Sequence, residues 1–184
     1  MPGLKIKKEE AVLVVIDFQE RLMPAMKNHE ELEEKMVKLV KGCMVVDLPI
    51  LTTQQYTKGL GKTVDPIAEA MEDKFLPIEK TSFSAYGEPE FVKALEETGR
   101  KTVILTGIEA HVCVQQTALD LIEAGYQVFL VANAISSRDN TDKKYAQRRM
   151  SEAGAVGTTY EAVLFELVGG AKEDGFKQIS AIVK

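Results

Sequence analysis

Lys101-Thr-Val-Ile-Leu-Thr-Gly-Ile-Glu-Ala-His-Val-Cys113-Val-Gln115 decides how this chain is read. An apolar run ends at Thr106-Gly107, a short turn follows, and a cysteine then opens a segment of helical character. This pattern predicts a buried parallel strand over Thr102 to Leu105, with Cys113 in the first turn of a helix at the strand's carboxyl end. Ligands bind along that edge in open α/β sheets. A helix N-terminus also presents free N–H groups and a positive dipole end, which favour a thiolate. The segment therefore raises one question, whether Cys113 is a nucleophile.

Working outward, strand-like and helix-like segments alternate along the 184 residues. Ala11 to Ile16 is the continuous apolar run expected of a strand buried on both faces. Residues 30–47 follow helical spacing, with Leu32, Met36, Leu39, Val40 and Cys43 on one stripe. Pro49 to Thr53, Phe75 to Ile78, Tyr126 to Val131 and Ala155 to Thr159 read as further strands. Helices are expected over Glu88 to Thr98 and 112–124, from a cap at Asn140 or Thr141 to Ala153, over Glu161 to Val168, and briefly after Lys172. This β-α alternation predicts an α/β fold, a parallel sheet with helices on both faces, in one domain over residues 1–184. The Gln54–Lys62 loop carries Gly59 and Gly61 but lacks phosphate-loop spacing, and no G-x-G-x-x-G occurs.

A hydrophobic fraction of 45% with 28% charged residues suits a soluble globular chain. The net charge of −5 argues against nucleic acid or an anionic membrane surface as partner. Met1 to Glu10 has no apolar core of a secretory leader, and no apolar run reaches the roughly 18 residues that span a bilayer. Two cysteines without an export signal point to the reducing cytoplasm.

Three residues are placed to share one site. Asp17 follows the first strand, Lys80 the third and Cys113 the fourth, and all carboxyl ends of a parallel sheet lie on one edge. A carboxylate beside a thiol accepts its proton, and an ammonium beside it stabilises the thiolate and depresses its pKa. Each residue has a plainer reading when taken alone. Asp17 reads equally as a helix cap or turn residue, Lys80 as a solvated charge, and Cys113 as a small buried hydrophobe. Cys43, on an apolar helical stripe, is read as core.

Val14-Val-Ile-Asp17-Phe-Gln19, Glu79-Lys80-Thr-Ser-Phe-Ser-Ala-Tyr86, Thr106-Gly-Ile-Glu-Ala-His-Val-Cys113-Val and Gly125 to Ser136 together resemble the isochorismatase-like cysteine hydrolases. The resemblance runs from about residue 10 to 168. It implies a Rossmann-like three-layer α-β-α sandwich around a six-stranded parallel sheet, and an Asp17-Lys80-Cys113 catalytic triad. It also implies a cis peptide between Ile108 and Glu109 that aims the backbone N–H groups of Glu109 and Cys113 at one point as an oxyanion hole. Homo-oligomers are implied as well. Nicotinamidases of this family bind a metal through Asp-x-His and a further His. The matching segment here, Thr52 to Gly61, has neither residue type, and His29 and His111 lie elsewhere, so no metal and no cofactor is expected. Isochorismatases that hydrolyse an enolpyruvyl group generally lack the cysteine, so Cys113 argues against that activity. The nearest resemblance is to the metal-free isochorismatase-domain-containing subgroup.

The expected activity is a cytoplasmic, cysteine-dependent hydrolysis of a small amide or related C–N bond through a Cys113 thioester. Phe18, Gln19, Gln55, Tyr56, Phe83, Tyr86 and His111 lie near the three strand ends and are expected to line the substrate pocket, the aromatics sandwiching a planar group. The alternatives are a ligand-binding scaffold of the same fold without turnover, and a redox-responsive thiol.

Overall fold

The computed structural model describes residues 5–184, so the leader-free reading of the first ten residues falls in part on residues outside the described ones. Six strands form one sheet: β1 (Ala11–Ile16), β2 (Ile50–Gln55), β3 (Pro77–Lys80), β4 (Thr102–Ile108), β5 (Gln127–Ser136) and β6 (Val156–Thr158). Their order is β3-β2-β1-β4-β5-β6, and every pairing is parallel. The chain runs outward from β1 through β2 to β3, then returns to place β4 on the other side of β1. The order thus reverses between β1 and β4, and the two ends flanking that switch carry Asp17 and the Cys113 turn.

The helices divide between the two faces as the strand pleat dictates. In β1 the side chains of Ala11, Leu13 and Val15 join the core under α1 (His29–Val45), α3 (Asp65–Ala70), α7 (Tyr160–Val168) and α8 (Phe176–Val183). Those of Val12, Val14 and Ile16 join the core under α4 (Pro89–Glu97), α5 (Gln115–Glu123) and α6 (Asn140–Glu152). A strand with six fully buried residues feeding two cores is the physical meaning of its unbroken apolar sequence. The α1 stripe of Leu32, Met36, Leu39, Val40 and Cys43 is buried throughout. Gly42 on that helix is required by packing, because a Cβ there would meet Leu164 Cδ2 at 2.3 Å.

Several boundaries differ from the sequence reading. β4 continues to Ile108 and β5 to Ser136, with a register shift between Leu105 and Gly107. Gly107 sits at φ +145°, and a Cβ there would lie 2.7 Å from the Ile16 carbonyl oxygen. The glycine therefore lets β4 run past the end of β1. The expected 112–124 helix is two pieces, a π-helical turn over Ala110–Val114 and then α5. Asp139, rather than Asn140 or Thr141, caps α6 by accepting the Thr141 N–H at 2.6 Å. A helical turn, α2 (Thr57–Leu60), lies within the Gln54–Lys62 loop, and neither it nor α3 was legible. Each is six residues or fewer, too short to show helical periodicity.

Candidate active site

Asp17 follows β1 in the left-handed region, at φ +53°, a conformation its residue type tolerates. Its side chain is fully buried. The Thr53 hydroxyl donates to Oδ1 at 2.8 Å, and Lys80 Nζ lies 2.8 Å from Oδ2. The second contact is an ion pair, and Oδ2 is buried with no hydrogen bond beside it.

Lys80 ends β3 and is equally buried. Its ammonium donates to Gln55 Oε1 at 2.6 Å, to the Phe83 carbonyl at 3.0 Å and to the Ser82 carbonyl at 3.1 Å. A buried charge needs such company: without the carboxylate and three dipoles, desolvation would be severely unfavourable. Here strand alternation put the lysine inward and the following loop curls back to meet it.

Cys113 lies in the π-helical turn, 7% exposed, with Asp17 and Lys80 as the charged groups acting on its thiol. The net direction corrects the expectation of a depressed pKa. Burial and the Asp17 charge outweigh Lys80, and the thiol is pushed up to about 12. At neutral pH the resting group is therefore S–H. The Ile108–Glu109 peptide before this turn is cis. The Glu109 carboxylate accepts both the Arg138 N–H and Nε–H at 3.1 Å.

The seven expected pocket residues separate into three groups. Phe18 and Tyr86 pack against other side chains. Phe18 is fully buried in the core on the sheet face opposite Cys113. Tyr86 packs edge-on against Tyr126, 6.2 Å between ring centres, and Tyr126 directly precedes the first residue of β5, at the sheet's other end. Gln19 and Gln55 are structural ties. Gln19 is buried, donating to the Gln55 and Gly61 carbonyls at 2.9 and 2.7 Å while its Oε1 accepts the Gln55 N–H at 2.7 Å. Gln55 spends its amide on Lys80 and on the Thr81 carbonyl. Tyr56, Phe83 and His111 remain accessible. Tyr56 is 54% and Phe83 55% exposed, each within three residues of a Lys80 partner or Lys80 itself. His111 Nδ1 meets Ser137 Oγ at 2.9 Å, and its Nε2 is 3.8 Å from Asp142 Oδ2.

Sequence reasoning missed Thr53. The signal was available in principle, since the strand pairing sets Ile16 beside Thr53 and so puts the threonine next to Asp17. Among the described residues no group of three or more His, Cys, Asp or Glu side chains is arranged to hold a metal ion, and no helix is long and apolar enough to cross a membrane. A groove of about 680 Å³ lies away from the triad, between the starts of β2 and β3 and α4 (Pro49, Leu51, Leu76, Pro77, Ala94). Its position at the amino-terminal ends of the strands separates it from this chemistry.

The Isochorismatase domain family model matches residues 11–162. The chain belongs to the isochorismatase family. Isochorismatase domain-containing protein 1 of Salmo salar is 39% identical over 94% of this chain, which spans about 60% of that relative's length. The solved structure of the MAR1 ribonuclease from Caenorhabditis elegans is 37% identical and superposes with a TM-score of 0.92 over 97% of this chain and 92% of that one. The YcaC proteins are also similar: that of Escherichia coli, an octameric hydrolase of unknown specificity, at 26% identity (99% of this chain, 92% of that one), and that of Pseudomonas aeruginosa, with hexane-2,5-diol and covalent acrylamide, at 25% (99% and 93%), both with TM-scores of 0.92. The six-stranded parallel sheet between two helical layers is thus the isochorismatase-family fold.

Proposed function

We propose that this member of the isochorismatase family is a cysteine-dependent hydrolase of a small amide or related C–N bond. The observation that carries the reading is Asp17 Oδ2, a buried carboxylate oxygen with no hydrogen-bond donor, in a group that acts on the Cys113 thiol. A carboxylate kept desolvated, paired with one ammonium and left with an open lone pair is a proton acceptor in waiting.

The raised thiol shapes the mechanism. A thiolate is not preformed, so proton transfer accompanies attack. As the substrate carbonyl carbon approaches, Asp17 takes the Cys113 proton and sulfur forms the new bond. Lys80 offsets the negative charge that moves from Asp17 toward sulfur. The carbonyl oxygen becomes an oxyanion held by the backbone N–H groups of Glu109 and Cys113. Collapse breaks the C–N bond, and Asp17 returns the proton to the leaving amine. Water then attacks the thioester carbon and gives its proton to Asp17, the C–S bond breaks to free the acid, and Asp17 passes that proton to the sulfur to restore the thiol and its own carboxylate. Tyr56, Phe83 and His111, the accessible members of the expected set, are assigned the first contacts with substrate. The covalent acrylamide of the Pseudomonas aeruginosa relative supports a reactive nucleophile in that protein, since acrylamide is captured at its alkene, and leaves the C–N substrate class to the amide panel below. The buried, high-pKa thiol disfavours the redox-responsive reading, because oxidation follows thiolate character and exposure.

Two free cysteines suit a reducing compartment, and we assign the cytoplasm. The octameric Escherichia coli relative supports a homo-oligomer, to be checked by light scattering on the eluting protein. The name of the Caenorhabditis elegans relative brings RNA forward as a second substrate class. A net charge of −5 and a site whose one lysine is buried favour the small molecule, since RNA binding relies on cations facing phosphates. Ammonia release from a panel of small primary amides, run beside cleavage of a mixed RNA, separates the two. Turnover of an amide by wild type and not by Cys113→Ala supports the reading; equal turnover by both, or RNA cleavage alone, refutes it.

A further inference from the structure

The Lys80 ammonium is held by two carbonyls of the loop that follows it, those of Ser82 and Phe83, and the Ser82 hydroxyl closes part of that curl by donating to the Ser84 carbonyl at 2.8 Å. Ser82 is half-buried and Phe83 exposed. Their neighbours show what fixes the curl. The Ser84 hydroxyl donates to Asp120 Oδ2 at 2.5 Å, and the Ala85 N–H donates to Thr117 Oγ1 at 2.9 Å. Both acceptors stand on α5, the helix that continues from the nucleophile turn. The same Thr117 hydroxyl donates to the Cys113 carbonyl at 2.7 Å. Cys113, Thr117 and Asp120 follow the i, i+4, i+7 spacing that lines one face of a helix. That face reads from the thiol to the loop around the ammonium.

One hydroxyl thus joins the two halves of the site. Thr117 is fully buried, and both of its hydrogen bonds are inside the protein. Asp17 and Lys80 come from β1 and β3, on one side of the switch, whereas Cys113 comes from β4 on the other. Beside the apolar packing of Ala85 in one cluster with Val114 and Ala118, the Thr117 and Asp120 hydrogen bonds tie the Lys80 loop to the cysteine's helix. We propose that Thr117, assisted by Asp120, is a positioning residue that sets the ammonium of Lys80 against the Cys113 thiol. This rests on the nucleophile reading above and goes beyond it, since neither residue touches substrate.

A threonine is suited to the task. Its hydroxyl donates and accepts at once, and its χ1 is restricted by branching. Valine keeps the shape and removes both bonds, leaving a buried Ala85 N–H without an acceptor. Serine keeps both bonds. For Asp120, asparagine retains an oxygen for Ser84, and alanine does not.

The test uses acrylamide as the probe, with peptide mapping of both cysteines under native conditions at pH 7.5. Thr117→Val is expected to slow addition at Cys113 by about tenfold or more, with Thr117→Ser staying near wild type. Asp120→Ala is expected to slow it less, and Asp120→Asn to restore it. Cys43 in the same digest reports on the core and is expected to stay unmodified, which separates repositioning from unfolding. If Thr117→Val exposes Cys43, Asp120→Ala carries the test alone. A reactive wild type whose rate is unchanged in Thr117→Val or, where that variant unfolds, in Asp120→Ala overturns this inference and leaves the nucleophile reading standing. A wild-type Cys113 that is no more reactive than Cys43 overturns both.

Discussion

Cys43 and Cys113 are both buried, both free, and both have thiols raised to about 12, yet the causes differ. Around Cys43 burial does nearly all of it, opposed only by the distant charge of Lys74. Around Cys113 burial is joined by Asp17 and opposed by Lys80. One cysteine fills a helix stripe in the core; the other meets an ion pair at the switch between β1 and β4. On the function proposed above, a raised thiol pKa does not by itself mark an inert cysteine. What separates the two is a base with an open lone pair beside one of them.

The comparison is broken most severely by removing that base. Asp17→Asn is expected to reduce hydrolysis by about 10²- to 10⁴-fold, read as initial rates on any amide the wild type turns over. It makes the Cys113 site resemble that of Cys43 in having no proton acceptor. Lys80→Met is expected to lower stability by about 3–5 kcal/mol in urea unfolding, because Asp17 is left buried and uncompensated. Adding Asp17→Asn to Lys80→Met should recover part of that loss, which sharpens the assignment to a buried charge. Thr53→Val removes the donor to Asp17 Oδ1 and is expected to cost about 1.5–3 kcal/mol by the same measurement. The most gradual effect concerns pH. Cys43 rises from 9.0 to about 12 in the folded chain, so between these values the unfolded chain has lost a proton that the folded chain keeps. Stability is then fully present below pH 9 and falls as pH rises, by about 1.4 kcal/mol per unit for this thiol. Cys43→Ala should remove this thiol's share of the fall in unfolding curves above pH 9 and leave that of Cys113, without changing hydrolysis at pH 7.5.

The sequence carried the sheet and its site-bearing strand ends, most strongly at β1. A six-residue apolar run such as Ala11 to Ile16, with Asp17 directly after it, admits few structures, whereas the strand that Lys80 ends is short and mixed and Cys113 follows its strand only after a turn. It carried much less of the loops. The continuation of β4 through Gly107 depends on how closely that glycine approaches Ile16, a tertiary fact. The π-helical turn at Ala110 and the short helix α3 have no periodicity to read. Side-chain direction was the hardest. Phe18 and Gln19 adjoin Asp17 in sequence, yet one enters the opposite core and the other ties down Gln55. Position at a strand end shows which edge a residue occupies, but packing decides which way it points. The pKa of Cys113 failed for a similar reason. Lys80 was visible in the sequence, but the depth at which the thiol is buried was not.

The central claim is that Asp17 makes Cys113 a nucleophile and that nothing does so for Cys43. Acrylamide addition under native conditions, mapped by mass spectrometry in wild type and Asp17→Asn, measures this directly. The account predicts modification of Cys113 and not of Cys43 in the wild type, slowed at least about tenfold in Asp17→Asn. Equal labelling of the two cysteines, or a Cys113 rate indifferent to Asp17, would contradict it.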